Sequence, residues 1–125
     1  MDHHDLHLLI EKLEPSSKQT LEAAVALAGE LNQATCEIAH WFYCILKKSD
    51  QINAIFKQNK INKSVMSDSL YRFIQSLHQQ TNTIPTLSAD IIEWLRDAWM
   101  QVAIESKTPR INDVELLVAL FNHPK

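Results

Sequence analysis

Glycine is almost missing, with Gly29 the one glycine among 125 residues. Tight β-hairpins and phosphate-cradling loops both lean on glycine for positive φ, so the deficit predicts an all-helical chain. Neither GxxxxGK[ST] nor GxGxxG occurs, and nucleotide hydrolysis or dinucleotide binding by this chain alone is excluded with them. No apolar run approaches the roughly 20 residues that span a bilayer, so no membrane contact is expected. Basic charge is also scarce. Twelve Lys and Arg are scattered against fifteen Asp and Glu, net −3, which leaves no stripe to hold phosphates and argues against a nucleic-acid partner. The opening MDHHDLHLLI lacks the basic start and long apolar core of a secretion signal, so the expected compartment is the cytoplasm. Cys36 and Cys44 lie about 12 Å apart along a continuous helix, too far for a disulfide. Their spacing is also wrong for a CxxC redox or zinc pair, and reduced, buried thiols are expected.

What is present is apolar periodicity. Hydrophobic residues make up 46% of the chain, which suits one compact domain, residues 1–125, of radius of gyration about 14 Å. Leu6, Leu9, Ile10 and Leu13 form a helical stripe ending before Pro15. Ser16 is a candidate cap for a second helix with Leu21, Ala24, Val25 and Ala28. A third helix runs from about Glu37 to Lys48, and a short fourth surrounds Ile52 to Phe56. Asn62 or Ser64 opens a fifth, with Met66, Leu70, Phe73 and Leu77 on one side, fading in HQQTNT, His78 to Thr83. Ile84 to Leu87 reads as extended linker; Ser88 caps a long helix to about Ser106; Thr108 and Pro109 break it; Asn112 caps the last, Asp113 to Phe121.

Two of these helices are copies of one unit. At an offset of 74, Leu13 meets Leu87, Leu21 meets Leu95, Ala24 meets Ala98, Val25 meets Trp99 and Ala28 meets Val102. One extra residue near Thr108-Pro109 moves the offset to 75, where Cys36 meets Ile111, Trp41 meets Leu116, Cys44 meets Ala119 and Leu46 meets Phe121. A constant separation with a single insertion is the signature of a repeat. The expected architecture is all-α: two helical repeats, about 13–58 and 87–123, around a pseudo-twofold axis, with a connector at about 62–83 and an additional N-terminal helix.

Reactive constellations are weak. His3, His7 and Glu11 recur every four residues, but a fourth metal ligand is unassigned and a solvated polar side explains them; no metal is expected. His40 and Cys44 stand one turn apart, yet Cys44 aligns with Ala119, so both read as packing residues and no catalytic residue is assigned. Trp41, Trp94 and Trp99 suit core or rim packing, with Trp94 the one whose edge a partner could reach.

The segments LEPSSKQTLEAAVALA, AHWFYCIL, LSADIIEWLRDAWMQVA and INDVELLVAL resemble, in that order, the double-repeat N-terminal domain of Clp/Hsp100 unfoldases, over about Leu6 to Phe121. His40-Trp41, Ala98-Trp99 and the leucine-rich first helix make the chain most similar to the ClpV branch, the disaggregase of type VI secretion; Glu115 departs from it, since the second repeat commonly has a histidine there. The resemblance implies a non-catalytic, cofactor-free recognition module of a bacterial hexameric two-ring ATPase whose modules lie beyond Lys125, monomeric when isolated. Its implied partner is an exposed helix near the N-terminus of the contracted sheath's large subunit. A ClpB, ClpA or ClpC-type domain that docks adaptors or unfolded chains is the alternative.

Helix capture calls for an apolar groove. Leu8 faces away from the stripe of its own helix, among His7, Glu11 and Lys12. The expected groove takes Leu6, Leu8 and Leu9 as one wall and Leu87 and Ile91 as the other, with Glu11 and Lys12 as rim charges.

Overall fold

Pro15 sets where the chain's second helix starts. The computed structural model of the protein describes residues 3–80, 84–105 and 109–122. Among them the elements are α1 (His3–Glu11), α2 (Pro15–Glu30), β1 (Thr35–Cys36), α3 (Ile38–Lys48), α4 (Asp50–Gln58), α5 (Lys63–Ser76), β2 (Thr86–Leu87), α6 (Ala89–Glu105) and α7 (Asp113–Asn122). Ser16 is not the cap of α2. That position belongs to Glu14, which is extended and makes no side-chain cap bond. Proline favours the first helical position, where its missing N–H is not needed, and it pushes the preceding residue out of the helix. The other expected caps are present: Asn62 Oδ1 accepts from Val65 N–H at 3.2 Å, Ser88 Oγ from Ile91 N–H at 3.2 Å and Asn112 Oδ1 from Glu115 N–H at 3.0 Å. The fourth helix is longer than its apolar core suggested because Ser49 caps it, accepting from Ile52 N–H.

Two helices close without glycine. Asn32 and Lys60 take φ of 57° just past α2 and α4. Gln33 N–H returns to Ala28 C=O and Ile61 N–H to Phe56 C=O, while the left-handed Asn32 and Lys60 bond Gly29 C=O and Lys57 C=O, so both ends are Schellman closures. Gly29 instead lies inside the last turn of α2, beside Pro85.

The chain is not purely helical. β1 and β2 pair in parallel, Thr35 with Thr86 and Cys36 with Leu87, and a second parallel bridge joins Leu13 to Ile111. Parallel pairs need a long crossover and no tight turn, so scarcity of glycine does not forbid them. The two pairings exchange under the repeat register. Leu13 corresponds to Leu87 and Cys36 to Ile111, and the bond from Glu14 N–H to Ile111 C=O (2.8 Å) has its counterpart from Ser88 N–H to Cys36 C=O (3.0 Å). The tryptophans follow the same exchange. Trp41 Nε1–H on α3 donates to Thr20 Oγ1 on α2, while Trp94 Nε1–H on α6 donates to Leu116 C=O on α7. Both indoles are buried, with centroids 4.9 Å apart, so the edge expected of Trp94 is not on the surface.

Trp41, Ile45 and Leu46 of α3 meet Leu21, Ala24 and Ala28 of α2, Ile91 and Leu95 of α6 and Leu116 of α7 in one core. Ala24 and Ala28 are fully covered, since small residues let the bulky side chains approach closely. The equivalence fades at the end of α7: Leu46 is buried, whereas its counterpart Phe121 is 60% exposed. In α5 the buried positions are Ser67 and Ile74, with Met66 and Leu70 half-buried against the core, and Phe73 is 54% exposed. The inward face is therefore rotated from the expected Met66, Leu70, Phe73, Leu77 stripe toward Ile74.

Candidate peptide-binding surface

α1 is docked by one stripe and leaves the other side free. Leu9 and Leu13 are in the core, and Leu6 and Ile10 are half-buried against it. The helix lies along α6. Its end is fixed to the turn before α7 by Ile111 N–H to Lys12 C=O (2.8 Å) and Arg110 Nη1 to Glu11 C=O (2.8 Å), and Lys12 Nζ stands over the Trp99 ring at 5.1 Å. Leu8 is 44% exposed on the outer side. His7 Nε2 meets Glu11 Oε1 at 3.0 Å, both exposed. Among the described residues, the outer face of α1 carries Leu8 beside the exposed polar side chains of His7, Glu11 and Lys12.

The expected second wall is only partly there. Leu87 is half-buried in β2, paired with Cys36, and Ile84 beside it is 88% exposed. Ile91 is fully buried and supplies no surface. As the third residue of α6 it is drawn inward with Leu95 by the helical period, so the expected wall stops at Leu87. Leu9 likewise belongs to the core and supports α1 from beneath. The Lys12 contact at Trp99 lies about 12 Å along α6 from Ile91. Leu8, Glu11 and Lys12, with the half-buried Leu6 and Leu87, are therefore the expected residues that reach the surface.

The remaining polar groups are structural. Glu37 N–H donates to His40 Nδ1 at 2.9 Å, which fixes the proton on Nε2; that N–H meets Gln33 Oε1 at 2.5 Å, and Gln33 Nε2 donates to Ile74 C=O at 2.6 Å. His40 is fully buried, and desolvation lowers its pKa from the ordinary histidine value. It ties α3 to α5 through Gln33, and as the helix N3 residue it answers Glu37 in a reciprocal cap. Burial pushes the Cys36 thiol up to about 12 and the Cys44 thiol up to about 11, away from the thiolate range that nucleophiles need. The side chain of His3 lies outside the described residues. Among the described residues no group of three metal-ligating side chains converges, and no helix is long and apolar enough to cross a membrane.

No protein-family model matches the sequence, and no curated protein matches it significantly. Solved structures do match. The N-terminal domain of the ClpV1 ATPase from E. coli EAEC Sci1 superposes with a TM-score of 0.91 at 20% identity, covering 97% of this chain and 74% of that one. The N-domain of ClpV from Vibrio cholerae gives 0.83 at 22%, covering 94% and 70%. A ClpV N-domain solved in complex with a VipB peptide gives 0.78 at 22%, covering 94% and 72%. Over nearly its whole length this chain has the fold of a ClpV N-terminal domain.

Proposed function

We propose that this chain is the substrate-recognition domain of a ClpV-like unfoldase and binds an exposed helix of the type VI secretion sheath. The single observation that supports this reading is the fold shared across 94% of the chain with a ClpV N-domain that was solved holding a VipB peptide. The guest helix lays its apolar side against the outer face of α1, with Leu8 as the anchor, Leu6 and Leu87 as flanks, and Glu11 and Lys12 pairing with charges at its edge. A helix satisfies its own backbone, so such a surface needs no free strand edge. The chain itself is non-catalytic, works in the bacterial cytoplasm and is monomeric in isolation. In the whole protein, ATPase modules assemble as a hexamer, whose six copies of this domain raise the effective concentration for a weakly held helix.

The test is fluorescence anisotropy with two labelled probes: a peptide spanning the helix near the N-terminus of the large sheath subunit, and a permanently unfolded model protein. Saturable binding of the peptide alone is expected. Binding of the unfolded protein with equal affinity would instead support a general Clp-type domain and overturn the sheath assignment.

A further inference from the structure

A second apolar depression lies away from α1, between α3 and α5. It holds about 400 Å³ and is lined by Ile38, Phe42, Leu70, Phe73 and Leu77, with Leu120 of α7 also on its wall. Phe73 is 54% exposed over it, whereas Phe42 is buried, with the ring of the exposed Phe121 6.4 Å away edge to face. An exposed Phe73 beside an apolar depression is the kind of surface that a partner protein covers. The charged groups on its wall are of one sign, Glu37 and Asp90, and no Lys or Arg lines it. Among the described residues neither carboxylate is paired with a basic side chain.

The shape and charge select the occupant. An extended segment would find few backbone partners, because the walls are helices that bond most of their own N–H and C=O groups, whereas a guest helix brings its backbone satisfied. Two acidic groups repel nucleic acid and anionic lipid. A second copy of this chain in a twofold contact would bring Glu37 and Asp90 against their own equivalents. We propose that the groove between α3 and α5 is a second docking site, separate from the α1 face, for a partner's amphipathic helix with basic residues at its edge. The guest's large apolar residues, one helical turn apart, settle beside Phe73 and the half-buried Leu70 and Leu77, and its basic edge meets Asp90 and Glu37.

The probe is a labelled peptide of about 18 residues, leucine at i, i+3, i+4 and i+7 and lysine elsewhere. Two controls accompany it: the same composition scrambled, and the same pattern with glutamate for lysine. Titration by anisotropy and by backbone amide NMR is expected to show saturable binding of the first peptide, with shifts on α3 and α5. Both controls are expected to bind at least about tenfold more weakly, a difference of about 1.4 kcal/mol. Phe73→Asp and Asp90→Lys, both at exposed positions, each reduce affinity for the first peptide by about tenfold or more. Leu8→Asp leaves it unchanged, so failure here is distinct from failure of the sheath assignment. Equal binding of the scrambled or acidic peptide, unaltered affinity in both groove variants, shifts confined to α1, or concentration-dependent dimerisation that Phe73→Asp abolishes would each overturn the proposal.

Discussion

At the scale of single residues, buried polar side chains carry more consequence than any reactive group. His40 is neutral in the fold, with its pKa held below the ordinary value by desolvation. The unfolded chain therefore binds more protons than the folded one as pH falls through about 6.5, and stability is present above that value and declines below it. Urea midpoints measured from about pH 7.5 to pH 5 are expected to fall in the native sequence and to fall less steeply in His40→Gln; parallel slopes in the two would contradict the assignment. Ser17 Oγ donates to Asp113 Oδ1 at 2.6 Å across 96 positions of sequence, with both side chains buried. Ser17→Ala leaves that carboxyl without its partner, and a loss of about 1–3 kcal/mol is expected by chemical denaturation. Lys60 holds a left-handed conformation that costs an L-residue roughly 1–2 kcal/mol. Lys60→Gly is accordingly expected to raise stability by about 1 kcal/mol, measured in the same way.

At the scale of elements, the local rules of capping were legible and the long-range ones were not. Ser88, Asn62 and Asn112 announce their helices because a short oxygen-bearing side chain at that position has one favourable use, bonding the free N–H groups of the first turn. Ser16 carries the same chemistry but loses to Pro15, whose ring fixes the start one residue earlier. The inward face of α5 differs from its apolar stripe for a different reason. Met66, Leu70, Phe73 and Leu77 satisfy a helical period, yet so do Ser67, Leu70 and Ile74, and which set turns inward depends on α3, far away in sequence. Two-residue parallel strands carry no periodicity at all, so Thr35-Cys36 and Thr86-Leu87 stayed invisible as strands even though the linker before Ser88 was read as extended. Of the proposed binding surface, the exposure of Leu8 was legible because it breaks the stripe of its own helix. The burial of Ile91 was not, since α6 begins where the extended linker stops and the helical period takes over. Gly29 makes an element-scale prediction. A methyl there would meet Pro85 Cγ at 3.7 Å, ordinary contact, so Gly29→Ala is expected to raise the stability of α2, and of the domain, by up to about 1 kcal/mol in thermal or urea unfolding.

At the scale of the whole molecule, duplication is what makes the fold. Each repeat's entering segment is paired with the other repeat: Leu13 with Ile111, and Leu87 with Cys36. The core places Trp41 of one copy against Trp94 of the other. Neither copy alone can bury its apolar stripe or complete its backbone pairing. The unrepeated α1 adds what the symmetric pair lacks, an outward leucine on a helix anchored at Lys12 and Glu11. Whether the outward face of α1 holds the sheath helix, as proposed, is decided by titrating the labelled sheath peptide with the native chain and with Leu8→Asp. Leu8 is exposed, so the variant is expected to keep the native circular dichroism spectrum while its affinity falls by at least about tenfold, or 1.4 kcal/mol. Unchanged affinity in a folded Leu8→Asp chain would contradict the account.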